Sequence, residues 1–217
     1  MINKKIINQK HNIMKHILIL ALFLLLLGCS SDSNPEDGLP PETQIGANTF
    51  GCLIDGELYK PRCEEPSVAF PQWGMIVWGS PSTLDYSEIE VRDIKSEYGF
   101  NLLIHLHSTN DNREGTYQID DSDGNDGIDG LNHTYLHCII YDKITNGFKK
   151  YISFFNSGKI ILTKYGNLES GNPNDLNVIS GTFNCKLRNI TDANDEIEIT
   201  KGRFDINTST VIYKEFP

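Results

Sequence analysis

Apolar and polar residues alternate along most of the chain with a period of two, the spacing of a strand that buries one face. In Tyr98-Gly99-Phe100-Asn101-Leu102-Leu103-Ile104-His105-Leu106 every even position is apolar or aromatic. The alternation returns at Leu136, Cys138 and Ile140, at Ile179, Phe183, Cys185 and Leu187, and at Ile197 and Ile199 between Glu196, Glu198 and Thr200. Shorter β-rich runs occupy 49–54, 75–79, 86–94, 149–155 and 159–165. Turn signals separate them: Asp55-Gly56, Asn146-Gly147, Ser157-Gly158, the stretch 164–174 with two Gly and a Pro, and 192–195. Beyond the first 28 residues no stretch sustains a helical repeat. The pattern predicts an all-β fold, an antiparallel β-sandwich or open barrel, as a single domain over 47–217. Asp55-Gly56 is the clearest hairpin turn, since that pair suits a two-residue loop with positive φ.

The exception to the period is the N-terminal segment. Residues 1–16 carry Lys4, Lys5, Lys10 and Lys15 and no acid, and Ile17 to Leu27 is an apolar run of eleven. Crossing a bilayer takes about 20 apolar residues, so this run has the length of a secretory signal core instead. It ends in Leu26-Leu27-Gly28-Cys29, which resembles a bacterial lipobox. The resemblance implies a signal peptide over 1–28, cut before Cys29, whose thiol becomes the lipid-bearing N-terminus. It further implies two or three fatty acyl chains, palmitate among them; one chain alone holds a protein at a bilayer only marginally. The expected location is the cell envelope, at the outer membrane, since Ser30 rather than Asp follows the cysteine. From 30 to 46 the chain has one Leu, one Ile, three Pro and four acids, too little apolar surface to fold alone. A flexible tether is therefore expected over 29–46.

Charge narrows the partners. The leader holds four of the 19 Lys and Arg and none of the 29 acids, so the mature chain carries 15 against 29, a net charge of −14. Such a field repels nucleic acid, which is excluded as a partner. Export places the remaining cysteines, Cys52, Cys63, Cys138 and Cys185, in an oxidising compartment. Three pairings are open to them. Proximity in sequence favours Cys52 with Cys63 and Cys138 with Cys185, and the alternative for the second pair is two buried free thiols.

Several blocks resemble an uncharacterised family of Bacteroidota all-β lipoproteins: Ala47-Asn48-Thr49-Phe50-Gly51-Cys52-Leu53-Ile54-Asp55-Gly56, then Gly115-Thr116-Tyr117, Ser157-Gly158-Lys159-Ile160, Ile179-Ser180-Gly181-Thr182-Phe183 and Lys201-Gly202-Arg203-Phe204-Asp205. The resemblance spans most of 45–206 and implies an all-β lipoprotein domain, without an activity.

Three constellations are candidates for chemistry. Asp120 to Gly130 holds five carboxylates in eleven residues, and oxygen-rich, Gly-bent loops suit Ca²⁺. Asp121, Asp123, Asn125, Asp126 and Asp129 are the candidate ligands, although the register is not that of an EF-hand: Asp126 stands where Gly is required and Asn132 where Glu belongs. The alternative is a solvated loop, with no cofactor. His105 and His107 lie two apart on one strand and share the face opposite its apolar residues. They are either polar residues on a solvated sheet face or Zn²⁺ ligands, with His133 and His137 as further nitrogen donors. Trp73 and Trp78 can pack in the core or stack on sugar rings. No G-x-S-x-G, P-loop, H-E-x-x-H or dinucleotide fingerprint occurs, so no catalytic residue is assigned. The chain reads as a cell-envelope lipoprotein acting as a binding or structural module. Its alternatives are a surface glycan-binding accessory protein and a metal-dependent hydrolase using His105 and His107.

Overall fold

The computed structural model describes residues 34–63, 73–79, 86–95, 99–107, 113–125, 131–166 and 178–216. The leader, the Cys29 junction, and Asp126 and Asp129 lie outside them. A compact unit begins at Pro35, and among the described residues no helix is long and apolar enough to cross a membrane.

Among the described residues eleven strands form one antiparallel sheet: β1 (Thr49–Ile54), β2 (Glu57–Tyr59), β3 (Met75–Trp78), β4 (Tyr86–Asp93), β5 (Phe100–His107), β6 (Gly115–Ile119), β7 (Tyr135–Asp142), β8 (Gly147–Ile152), β9 (Gly158–Gly166), β10 (Val178–Asn189) and β11 (Glu196–Asn207). The order is β2-β1-β11-β10-β8-β7-β5-β4-β3, and β9 and β6 branch from β10. Two segments of β10 explain the fork: Val178 to Cys185 pairs with β9, and Arg188-Asn189 pairs with β8. The sheet curls into a half-barrel, so it is the open-barrel alternative that forms rather than two stacked sheets. Curling brings β4 over β9, where the Ser87 and Tyr165 hydroxyls share a buried hydrogen bond of 3.0 Å.

The alternating residues fill the interior. Phe100, Leu102, Ile104 and Leu106 of β5 meet Ile89 and Val91 of β4, Leu136 and Cys138 of β7, and Phe183, Cys185 and Leu187 of β10 in one buried cluster. At Asp55-Gly56 both residues have positive φ, +49° and +84°, the twist that a two-residue hairpin loop requires. Gly202 is fixed by space, because a Cβ there would lie 2.5 Å from the Phe183 ring.

Two expectations change. All four described cysteines are buried free thiols, and neither expected disulfide forms. Cys52, Cys138 and Cys185 point from three different strands into one region of the core, where burial pushes each thiol pKa up, that of Cys52 to about 12. Cys63 sits apart, its Sγ accepting a hydrogen bond from the Phe216 amide at 3.4 Å. Closeness in sequence between Cys52 and Cys63 did not carry over because after β2 the chain crosses to β4, where Arg62 bridges to Asp93.

The stretch expected as a tether is bound to the sheet from Pro35 onward. Its anchor is the carboxylate of Asp205 on β11, 1% exposed. That group accepts hydrogen bonds from Thr43 Oγ1 at 2.5 Å, from the amides of Ile45, Gly46 and Ala47 at 3.1, 2.8 and 3.1 Å, and from Ser180 Oγ at 2.7 Å. Nearer the N-terminus, the Pro40 carbonyl accepts from Arg203, Pro40 lies against Gly51, and Gly38 lies against Leu58 of β2. This strap has little apolar surface of its own, as its composition indicates; the hydrogen bonds to Asp205 and a few contacts with β1 and β2 hold it.

Candidate functional site

The histidines, tryptophans and acidic loop fall on one face of the β3-β4-β5-β7 limb. Cross-strand pairing aligns Trp78, Glu88, His105 and Tyr135 in a row over four strands. Directly paired residues share a face, so period-two alternation is what places them together. His105 is not on a solvated face, as its sequence suggested: it is 1% exposed, stacked between Tyr86 and Tyr135 at 5.1 and 4.5 Å. Its Nδ1 lies 2.9 Å from Glu88 Oε1, while its Nε2 is buried without a hydrogen-bond partner. A carboxylate on one ring nitrogen fixes the tautomer that leaves the other nitrogen an acceptor.

This row does not assemble a zinc site. The His105 and His107 rings are nearly parallel, at 12°, with centroids 6.5 Å apart. Two imidazoles on one tetrahedral Zn²⁺ have ring centroids only about 5 Å apart, given Zn–N bonds near 2.0–2.1 Å, and their rings converge on the metal rather than lie parallel. His133 Nε2 donates to the Asp121 carbonyl at 2.6 Å, and His137 Nδ1 lies 3.3 Å from Ser122 Oγ. Among the described residues no three His, Cys, Asp or Glu side chains gather as a metal site would need.

The acidic loop uses its carboxylates for its own shape. Asp121 Oδ1 accepts from the Phe155 amide at 3.0 Å. Asp123 accepts from the Asn125 amide and side chain, both at 2.9 Å, and the backbone bond is the main cause of its lowered pKa. The two carboxylates thus serve separate partners.

Trp78 is 47% exposed, with Trp73 edge-on at 6.4 Å. Its Nε1 lies 3.4 Å from Glu90, a carboxylate that also accepts from Arg92 at 2.8 and 2.6 Å and from Asn101 at 3.1 Å.

A second site has no counterpart in the sequence reading. At the end of the half-barrel where β1, β5 and β7 meet β2 and β11, a cleft of about 710 Å³ opens between the β1–β2 and β7–β8 hairpins. This is the size of a small-molecule pocket. Its walls carry Ile54, Leu58, Phe100, Ile140 and the rings of Tyr59, Tyr141 and Tyr151. Tyr59 packs on Phe100 with centroids 4.8 Å apart.

Two of the cleft's cations, Lys149 and Arg62, are paired with carboxylates. Lys149 Nζ bridges Asp142 at 3.0 Å and Asp195 at 2.9 Å. Its ammonium, with the Ile144 amide and the Thr145 hydroxyl, holds the Asp142 carboxyl down at about 2. The two carboxylates in turn raise the Lys149 pKa. Burial, then the charge of Asp195, lifts the Tyr151 phenol to about 12. Across the cleft, Arg62 Nη2 meets Asp93 Oδ2 at 2.5 Å. Residues from seven strands and the turns beside them build this cleft, and no single stretch of sequence carries its signal; the exposed Ile144 in Lys143-Ile144-Thr145-Asn146 is the nearest to one.

Comparisons with protein-family models, curated proteins and solved structures gave no match for this chain.

Proposed function

We propose that the chain is a lipid-anchored binding module of the bacterial cell envelope, of the Bacteroidota lipoprotein type, whose ligand sits in the cleft between the β1–β2 and β7–β8 hairpins. Anchoring rests on the leader and Cys29. The seat rests on one observation: a cleft of about 710 Å³ walled by aromatic rings, with Lys149 and Arg62 tied to carboxylates. Lys149 and Arg62 have their charge neutralised in place, so they offer fixed hydrogen-bonding edges and no net attraction for an anion. A neutral or cationic ligand with an apolar face suits such walls.

Thermal-shift measurements against panels of neutral saccharides, acidic saccharides and basic peptides test the seat. A ligand of the cleft raises Tm of the parent protein and loses that effect in Tyr141→Ser. Equal shifts in both proteins would place the ligand elsewhere.

The glycan reading keeps a separate basis, the half-exposed Trp78 with Glu90, Arg92 and Asn101 around it. A saccharide whose binding quenches tryptophan emission and is indifferent to Tyr141→Ser belongs there.

A further inference from the structure

We propose that the cleft end of the domain docks on the lipid leaflet, with Ile144 and Phe148 at the bilayer surface. This rests on acylation of Cys29. The strap decides the direction. It is pinned at Asp205, where β1 begins and β11 ends, and passes Arg203 and Gly51 toward Leu58. Leu58 lines the cleft. Glu36, the strap's next anchor, pairs with Lys201 of β11 at 3.7 Å, so the chain leaves the sheet toward its N-terminus nearer the cleft end than the end past Asn207.

Only residues 29–34 then remain between the acylated cysteine and Pro35. Six residues reach at most about 20 Å. The opposite end, past Asn207, is a further strand length away, up to about 36 Å for β11. The side toward the leaflet carries the β7–β8 turn and the start of β8, where Ile144 is 94% and Phe148 68% exposed. The turn is held in place: Asp142 accepts from the Ile144 amide at 2.8 Å and from Thr145 Oγ1 at 2.9 Å, and the Tyr141 hydroxyl bonds Asn146. Phe148 packs edge-on against Tyr141 at 5.4 Å. A braced turn that presents two large apolar side chains to the outside fits the apolar–polar boundary of a bilayer. With a net charge of −14 on the mature chain, the surface it meets is a neutral or zwitterionic one.

The test uses the mature, lipidated full chain carrying a fluorescent thiol label at Ile144→Cys or at Ser209→Cys. Both positions are exposed, and the four buried native thiols do not compete. The protein is placed in phosphatidylcholine–phosphatidylethanolamine vesicles that contain a lipid with a nitroxide on its headgroup. The label at 144 should lose most of its emission, and the label at 209 should keep it. Equal quenching at both positions, or stronger quenching at 209, overturns the docking while leaving the anchor intact. Self-quenching of the label at 144 in detergent, without lipid, would assign this face to a second copy of the chain and also overturn it. If the N-terminal peptide carries no acyl chain, the anchoring reading and this inference fall together.

Discussion

Asp205 shows how one residue joins the ends of the domain. Its carboxylate is buried on β11 and takes five donors, four of them from the strap. Burial by itself would raise its pKa, but the bonds from Thr43, Ser180, Ala47 and Gly46 outweigh that and hold it below the ordinary value. The blocks that open at Ala47 and end at Asp205 are thus linked directly, which gives the two sequence landmarks a common physical reason. Asp205→Asn keeps the volume but turns an amide group toward several donors. Unsatisfied buried donors cost about 1–3 kcal/mol each, so a loss of about 3 kcal/mol is expected, a fall in Tm of about 6–12 °C.

The pH dependence of that contribution has a definite sign. The folded pKa is depressed, so the unfolded chain binds the proton more readily, and stability rises with pH through this window. The contribution is complete above the unfolded value near 3.9 and is lost as pH falls through the lower folded value. Urea unfolding between pH 5 and 2 should show a steeper acid loss in the parent than in Asp205→Asn; parallel curves would remove Asp205 from the account.

At the scale of elements, alternation was legible and pairing was not. The runs at 49–54, 86–94 and 159–165 coincide with β1, β4 and β9 within a residue or so, because burial of one face writes a period of two into any strand. Strand order leaves no such mark. The fork at β10, the row Trp78–Glu88–His105–Tyr135 and the cleft all depend on which strands become neighbours, and so they emerge only in three dimensions. The cysteines illustrate the difference. Their positions on buried faces could be read from the sequence, whereas their grouping, Cys52 with Cys138 and Cys185 rather than with Cys63, could not. Burial of all four, with the raised pKa of Cys52, Cys138 and Cys185, makes these thiols poor nucleophiles. Ellman titration without reductant should therefore find the four thiols silent in the folded protein and all four reactive in guanidinium. A denatured protein with two thiols or none would restore the disulfide reading.

At the scale of the whole molecule, the proposed anchor at Cys29 leads along the chain into the strap. A lipobox-like junction points to an acylated Cys29, the strap fixes where the chain departs from the sheet, and that departure point lies beside the cleft. The strap also shortens the reach expected of a tether, since it gives Pro35 to Ala47 to the surface of the sheet. Mass spectrometry of the N-terminal peptide, from protein extracted with membranes, bears most directly on this account. The account predicts a chain beginning at Cys29 with a diacylglyceryl thioether, and a Cys29→Ser variant that stays uncut. An unmodified Cys29, with the protein free in the soluble fraction, would contradict it.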